Sequence, residues 1–194
     1  MAVSPALFID KDGTLLEDVP YNVDPDRMVL VPGILRLLAA AQRARFKLVV
    51  VSNQSGVALG RIPREALHGL ADAVCATLAE SGIVLDDCYF CPHHPEGTVS
   101  EFRMLCLCRK PQPGMLQWAA REHGIDLRAS WLVGDILDDV EAAHRAGARA
   151  ILLDRGHETE WRMDALRMPD VVVRDPAQAI PALAWPRTRE ARIS

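Results

Sequence analysis

Long apolar runs are missing from this chain: none approaches the roughly 20 consecutive residues that a bilayer-crossing helix requires. The opening Met1-Ala2-Val3-Ser4-Pro5 also lacks the basic and apolar regions of a secretory leader, so a cytosolic location and no membrane partner are expected. An excess of either charge is missing too. With 22 Lys and Arg against 26 Asp and Glu, the formal net charge is -4, which offers no broad basic surface to nucleic acid. Cysteine is scarce: five residues in 194 do not make a disulfide scaffold, and a reducing cytosol would not maintain bridges. Internal repeats and low-complexity tracts are absent as well. The length suits one core rather than two, which predicts a single domain over residues 1–187 and a frayed tail from Thr188 to Ser194.

What is present is an alternation. Short apolar runs of strand length alternate with longer amphipathic ones, the order of an α/β protein whose parallel sheet carries helices on both faces. Ala6–Ile9, Leu48–Val51, Trp131–Val133 and Ala150–Leu153 read as buried strands, with Val171–Val173 as a fifth. Helical periodicity runs over Ile34–Ala44, Pro63–Glu80, Pro113–His123 and Leu137–Ala146. The stretch from Asp87 to Pro111 fits neither period and collects Cys, His, Pro and Gly, so it reads as a long loop ordered by something else, a metal being the obvious candidate. Arg155 to Pro169 is polar and ends in a turn.

The first strand runs into Asp10-Lys11-Asp12-Gly13-Thr14, at the carboxyl edge where open α/β sheets bind ligands. On an extended chain Asp10 and Asp12 face one side together while Lys11 points elsewhere. Two close carboxylates repel unless a cation joins them, and a hard oxygen-ligated ion such as Mg²⁺ suits the pair. A bland Asp-Gly turn is the competing reading. Other segments weigh against blandness. Ser52-Asn53-Gln54-Ser55-Gly56 offers a hydroxyl and free N–H groups for phosphate oxygens, and Arg109-Lys110 supplies fixed positive charge. Gly134-Asp135, followed by Asp138 and Asp139, offers further carboxylates. Each piece could be a plain turn, a solvated pair or a helix start; their joint occurrence in this order predicts phosphoryl transfer.

Cys91-x-His93 and Cys106-x-Cys108 offer soft and borderline ligands from two short arms, a set suited to a closed tetrahedral Zn²⁺ site. His94 is the alternative to His93, and a cluster of reduced thiols the alternative to a metal. Four protein ligands leave no place for water, so the expected zinc is structural and holds the loop that presents Arg109 and Lys110. Cys75 lies in a helical pattern and is expected simply to pack.

Taken together, Asp10 to Thr14, Ser52-Asn53, Lys110 and Gly134-Asp135 through Asp139 resemble the four motifs of the haloacid dehalogenase-like phosphatases, over nearly the whole chain. More narrowly, Ser52 to Gly60, Cys91 to Pro95 and Cys108 to Gly114 are similar to the D-glycero-D-manno-heptose 1,7-bisphosphate phosphatases, a family close to the histidinol-phosphate phosphatases. Glu101-Phe102-Arg103 favours the heptose family. The resemblance implies a Rossmann-like sheet without a large cap domain. It implies Asp10 as nucleophile, Asp12 as acid and base, and Ser52, the Asn53 backbone and Lys110 as the phosphoryl cradle. Mg²⁺ would be held by Asp10, Asp135 and the Asp12 carbonyl, with Asp139 in support. Asp18, Tyr21, Asn53, Gln54, Ser55 and Arg109 stand where that family touches the rest of the substrate, while Cys88 is a thiol that its pattern does not use.

Three departures stand out. Val19-Pro20 replaces a common His-Gly, Ile136 replaces a polar or basic residue, and Ser52 replaces the more frequent Thr while keeping the hydroxyl. The expected function is removal of the C7 phosphate from a heptose bisphosphate on the route to ADP- or GDP-heptose and lipopolysaccharide, by a monomer. Histidinol phosphate hydrolysis is the alternative, and a non-catalytic phosphate- or metal-binding protein a third reading.

Overall fold

Strand β1 (Ala6–Ile9) is apolar at every position because both of its faces are covered. Leu7 and Ile9 point to one side, joining Leu48, Val50, Trp131 and Val133 from neighbouring strands in a cluster with Ile34, Leu37, Leu38, Leu70, Val74 and Leu78. Ala6 and Phe8 point to the other, with Val49, Val51 and Leu132 against Met115, Leu116, Ala119, Val140 and Ala143. Each fully buried Leu, Ile or Phe contributes about 1.5–3 kcal/mol, so this two-sided strip fixes the strand against slippage.

The computed structural model describes residues 3–184; the tail expected at 188–194 lies outside the described residues. The remaining strands are β2 (Lys47–Asn53), β3 (Asp87–Cys91), β4 (Trp131–Gly134), β5 (Arg149–Leu153) and β6 (Val171–Val173). Helices α1 (Ile34–Arg43), α2 (Ala66–Ala79), α3 (Gly114–His123) and α4 (Leu137–Ala146) connect them, and a 3-10 segment spans Pro176–Ala184. Helix α1 follows from its apolar Ile34, Leu37, Leu38 and Ala41, a single stripe at helical spacing that packs on the sheet. Helix α3 stops where Gly124 turns left-handed and donates its N–H to Ala120 O.

All strand pairs are parallel, in the order β3-β2-β1-β4-β5-β6. The chain steps outward from β1 to β2 and β3, then crosses to the far side of β1 for β4 to β6. That reversal leaves a crevice at the carboxyl ends of β1 and β4, the customary ligand position in such sheets. Only loops and a 3-10 turn at Pro25–Arg27 separate β1 from α1, and a loop with α2 separates β2 from β3, so no cap domain is inserted.

Two expectations need correction. Residues 87–111 are not loop throughout, because Asp87–Cys91 forms an edge strand paired with β2 from Val49↔Asp87 to Asn53↔Cys91. Its Asp-Cys-Tyr-Phe-Cys sequence hides this, since an edge strand that is only partly covered needs no clean apolar alternation. Cys75 is not packed in the core but exposed on α2. Pro63 precedes α2 instead of starting it, and the other expected helices match to within a residue or so.

Candidate active site

The crevice is filled with charge. The N–H of Asp10 donates to Val133 O at 2.9 Å, which seats Asp10 at the junction of β1 and β4. Asp10, Asp135 and Asp139 are all buried, with ligand oxygens within 4.8 Å of one another. Lys110, 3% exposed, donates to Asp10 Oδ1 at 2.5 Å and to Val51 O at 3.0 Å. Its Nζ also lies 2.6 Å from Asp139 Oδ1, so one ammonium bridges two buried carboxylates.

Two glycines make room for the crowding. A Cβ on Gly134 would fall 2.2 Å from Asp139 Cγ, and one on Gly13, whose φ is +78°, would fall 2.1 Å from Asp135 Oδ2.

Burial pushes the Asp10 carboxyl up to about 6, against the nearby Lys110 ammonium and with help from Asp139. It pushes Asp135 further, to about 9, with Asp10 and Asp139 adding repulsion. Burial also works against the Lys110 ammonium, but Asp10 and Asp139 outweigh it and hold the lysine above its ordinary range. Three carboxylates therefore share one lysine. Three buried carboxylates drawn together, a strongly raised Asp135 and an all-oxygen donor set fit a hard divalent cation.

Asp12 sits apart from this trio. Its carboxylate accepts from Gln54 Nε2 at 3.0 Å and pairs with the Lys11 ammonium. The expectation that Lys11 points elsewhere fails: the chain turns directly after Asp10, with Leu15 and Leu16 N–H groups bonding back to Lys11 O, and the lysine is 1% exposed. Burial raises the Asp12 carboxyl above its usual range although Lys11 and Gln54 oppose the shift. Gln54 also donates to Ser52 Oγ at 2.9 Å, so it links the acid/base candidate to the hydroxyl candidate. The Asn53 side chain brackets the Lys110 backbone, donating to Lys110 O at 3.0 Å and accepting from Lys110 N at 2.9 Å.

The second cluster lies at the end of β3. Cys108 Sγ is 3.2 Å from Cys91 Sγ, from Cys106 Sγ and from His93 Nδ1, and Cys91 Sγ is 3.6 Å from Cys106 Sγ and from His93 Nδ1. These separations exceed a disulfide bond and come close to the roughly 3.5–3.8 Å edges of a tetrahedral zinc–thiolate site. His93 stands with the three thiols, whereas His94 Nδ1 accepts from Glu96 N at 3.1 Å. Cys108 is pulled down to about 5 by hydrogen bonds, that from Cys91 first, while the Cys91 thiol is raised; a set sharing protons in this way suits replacement of protons by a soft cation. Arg109 follows directly, its N–H on Cys106 Sγ at 3.3 Å and its guanidinium on His93 O at 3.4 Å.

Arg109, Lys110, Gln112 and Asp138 line a cleft of about 500 Å³ together with Met104 and Leu105. Tyr21 packs over Gly56, within 2.9 Å of where a Cβ would be, which brings the loop after β1 to the Ser52–Gly56 loop. Asp18 and Tyr21 are exposed, and Ser55 is half-buried.

A family model described as HAD-hydrolase-like matches residues 107–179. A D-glycero-β-D-manno-heptose-1,7-bisphosphate 7-phosphatase from Yersinia pestis is 42% identical over 151 residues, 78% of this chain and 80% of that protein. Its counterpart from Escherichia coli K12 is 41% identical over 78% of this chain and 79% of its own. The chain belongs to this heptose bisphosphate phosphatase family. A solved member, the D,D-heptose 1,7-bisphosphate phosphatase from B. bronchiseptica complexed with magnesium and phosphate, is 31% identical, with a TM-score of 0.72 over 93% of this chain and 98% of that one.

Against that family background, the residues that sequence reasoning missed lie after β5. His157 Nδ1 stands 2.6 Å from Asp135 Oδ2, and Glu158 Oε2 accepts the Leu137 N–H at the start of α4 at 2.7 Å. Thr14 Oγ1 donates to Asp135 Oδ1 at 3.3 Å. The only local signal was a His-Glu pair directly behind a strand end, 22 residues from its target. Ile136 contributes its backbone N–H to Asp139 Oδ2 at 3.3 Å.

Proposed function

We propose that this protein is a magnesium-dependent phosphatase that removes the C7 phosphate of D-glycero-β-D-manno-heptose 1,7-bisphosphate and leaves the anomeric phosphate for nucleotide-activated heptose and lipopolysaccharide. It works as a cytoplasmic monomer on a small sugar phosphate. The observation that carries the reading is the Lys110 bridge: one buried ammonium on Asp10 and Asp139, at the sheet's crossover point, in a chain of this family.

In this reading an ionised Asp10 oxygen attacks phosphorus, forming the phospho-aspartate as the P–O bond to C7 breaks. The departing C7 oxygen takes its proton from Asp12, which burial keeps able to hold one. Asp12 then takes a proton from the water that attacks the phosphorus of phospho-Asp10, and Asp10 is regenerated with release of inorganic phosphate. Lys110, Ser52 and the Asn53 N–H hold the phosphoryl oxygens as their charge redistributes. The Asn53 side chain acts from behind, fixing the Lys110 backbone. Mg²⁺ would be held by Asp10, Asp135 and the Asp12 carbonyl, with Asp139 in support, and would neutralise charge on nucleophile and phosphate. Zn²⁺ on Cys91, His93, Cys106 and Cys108 would order the arm that carries Arg109 toward the rest of the sugar, where Asp18, Tyr21, Gln54 and Ser55 are further contacts.

Steady-state rates in Mg²⁺ with both anomers of the bisphosphate and with histidinol phosphate test this. The β bisphosphate should lead by about tenfold or more in kcat/KM, with the anomeric phosphorus signal retained in the product. Preference for histidinol phosphate would overturn the substrate, and inertness toward all three would overturn the catalytic reading.

A further inference from the structure

Asp135 is gripped from behind. The cation trio consists of Asp10, Asp135 and Asp139, and His157 Nδ1 reaches Asp135 Oδ2 at 2.6 Å. The imidazole therefore stands outside the trio, against the Asp135 oxygen opposite the one that Thr14 Oγ1 touches. It is also not a loose side chain. The next residue, Glu158, accepts the Leu137 N–H with one oxygen and the Glu160 N–H with the other, at 2.7 and 2.8 Å. These backbone donors hold the Glu158 carboxyl below its ordinary range although partial burial acts the other way. The post-β5 loop is thus fastened to the N-terminus of α4, and α4 begins just after Asp135. One dipeptide clasps both ends of the turn that carries the metal carboxylate.

A carboxylate free to rotate presents a cation with a lobe of changing direction, and one held by a fixed donor presents a single oxygen at a constant angle. We propose that His157 is a positioning residue for cation binding: its Nδ1–H donates to Asp135 Oδ2, fixing the Asp135 carboxylate for the metal, with Glu158 locking the loop that delivers it. This rests on the Asp135 role given above. It assigns a function to the loop from Asp154 to Pro169, whose polar sequence showed no motif, and it explains why position 13 has no room for a Cβ. A side chain there would strike Asp135 and also His157 Nδ1, 2.5 Å away.

The test is direct Mg²⁺ binding by calorimetry to the full chain without substrate, comparing the parent with H157A, H157N, E158A and D135N. Asn can place an amide N–H near the position of Nδ1, whereas Ala removes the donor. H157A should weaken Mg²⁺ by about 10–100-fold, with zinc content unchanged and kcat recovered at saturating Mg²⁺. H157N should recover most of the affinity, and E158A should fall between the parent and H157A. Mg²⁺ affinity in H157A within about threefold of the parent, or H157N as weak as H157A, would overturn the positioning role. D135N separates the two readings: loss of Mg²⁺ binding there with H157A unaffected refutes only the His157 role. Unchanged binding in D135N itself would refute the metal site on which that role stands.

Discussion

If Asp10, Asp135 and Asp139 hold the proposed Mg²⁺, protons and the cation compete for the same three carboxylates, which makes the pH dependence of Mg²⁺ affinity a sharp test. Asp135 is held up to about 9 and Asp10 to about 6, burial being the first cause in both. A cation at Asp135 must displace its proton, so affinity should change about tenfold per pH unit below 9. Between pH 6 and 8 that amounts to about 100-fold, and the half-protonated Asp10 at pH 6 adds about a further factor of two. Both folded values lie above the ordinary 3.8. The metal-free fold is therefore most stable below about pH 4 with respect to these groups, and loses that contribution as pH rises through 6 and then 9. Mg²⁺ must then raise the melting temperature more at pH 8 than at pH 6. Calorimetric titration of metal-free protein at pH 6, 7 and 8, in buffers of different ionisation enthalpy, reads both the affinity and the proton released, about one per ion near pH 7–8. A change below about threefold across this range, with no proton release, would show that these carboxylates are not the cation site.

D10N should abolish turnover and leave no acid-stable covalent phosphate on the protein, while its circular dichroism and zinc content match the parent, because the substitution removes the attacking oxygen without changing shape. Replacing Cys106 and Cys108 with Ser should lower zinc content by elemental analysis and reduce soluble yield, leaving Mg²⁺ affinity within about threefold; full zinc retention would mean that other ligands hold the metal. N53A removes both hydrogen bonds to the Lys110 backbone. It should destabilise the fold by about 1–3 kcal/mol in urea melts and lower kcat through a misplaced Lys110; unchanged kcat would mean that the arm holds Lys110 without it.

Much of the site was legible in the sequence because a parallel sheet constrains where strand ends go. Asp10, Ser52 and Asp135 each follow a run of apolar residues, and strands joined by right-handed crossovers deliver such positions to one edge. The Cys and His cluster was legible for a different reason: two short arms of such residues have few other uses in a loop. Edge strand β3 was hidden, because pairing on one side leaves its residues partly solvated and erases the alternation that marks a buried strand.

Side-chain partnership was decided only in three dimensions. That Lys11 folds onto Asp12, that Asn53 clamps the Lys110 backbone, and that Gln54 joins Asp12 to Ser52 depend on how tightly the chain turns after β1 and β2. His157 is the clearest case. Its distance from Asp135 along the chain carries no periodic signal, and only the packing of the post-β5 loop on the start of α4 brings its ring to the Asp135 carboxylate. The strands that face the core, the acidic edge and the Cys/His cluster could be read from the chain, since hydrophobic period and residue chemistry are local properties. Which charges pair with which was settled only in three dimensions, because that depends on distances between segments and on burial.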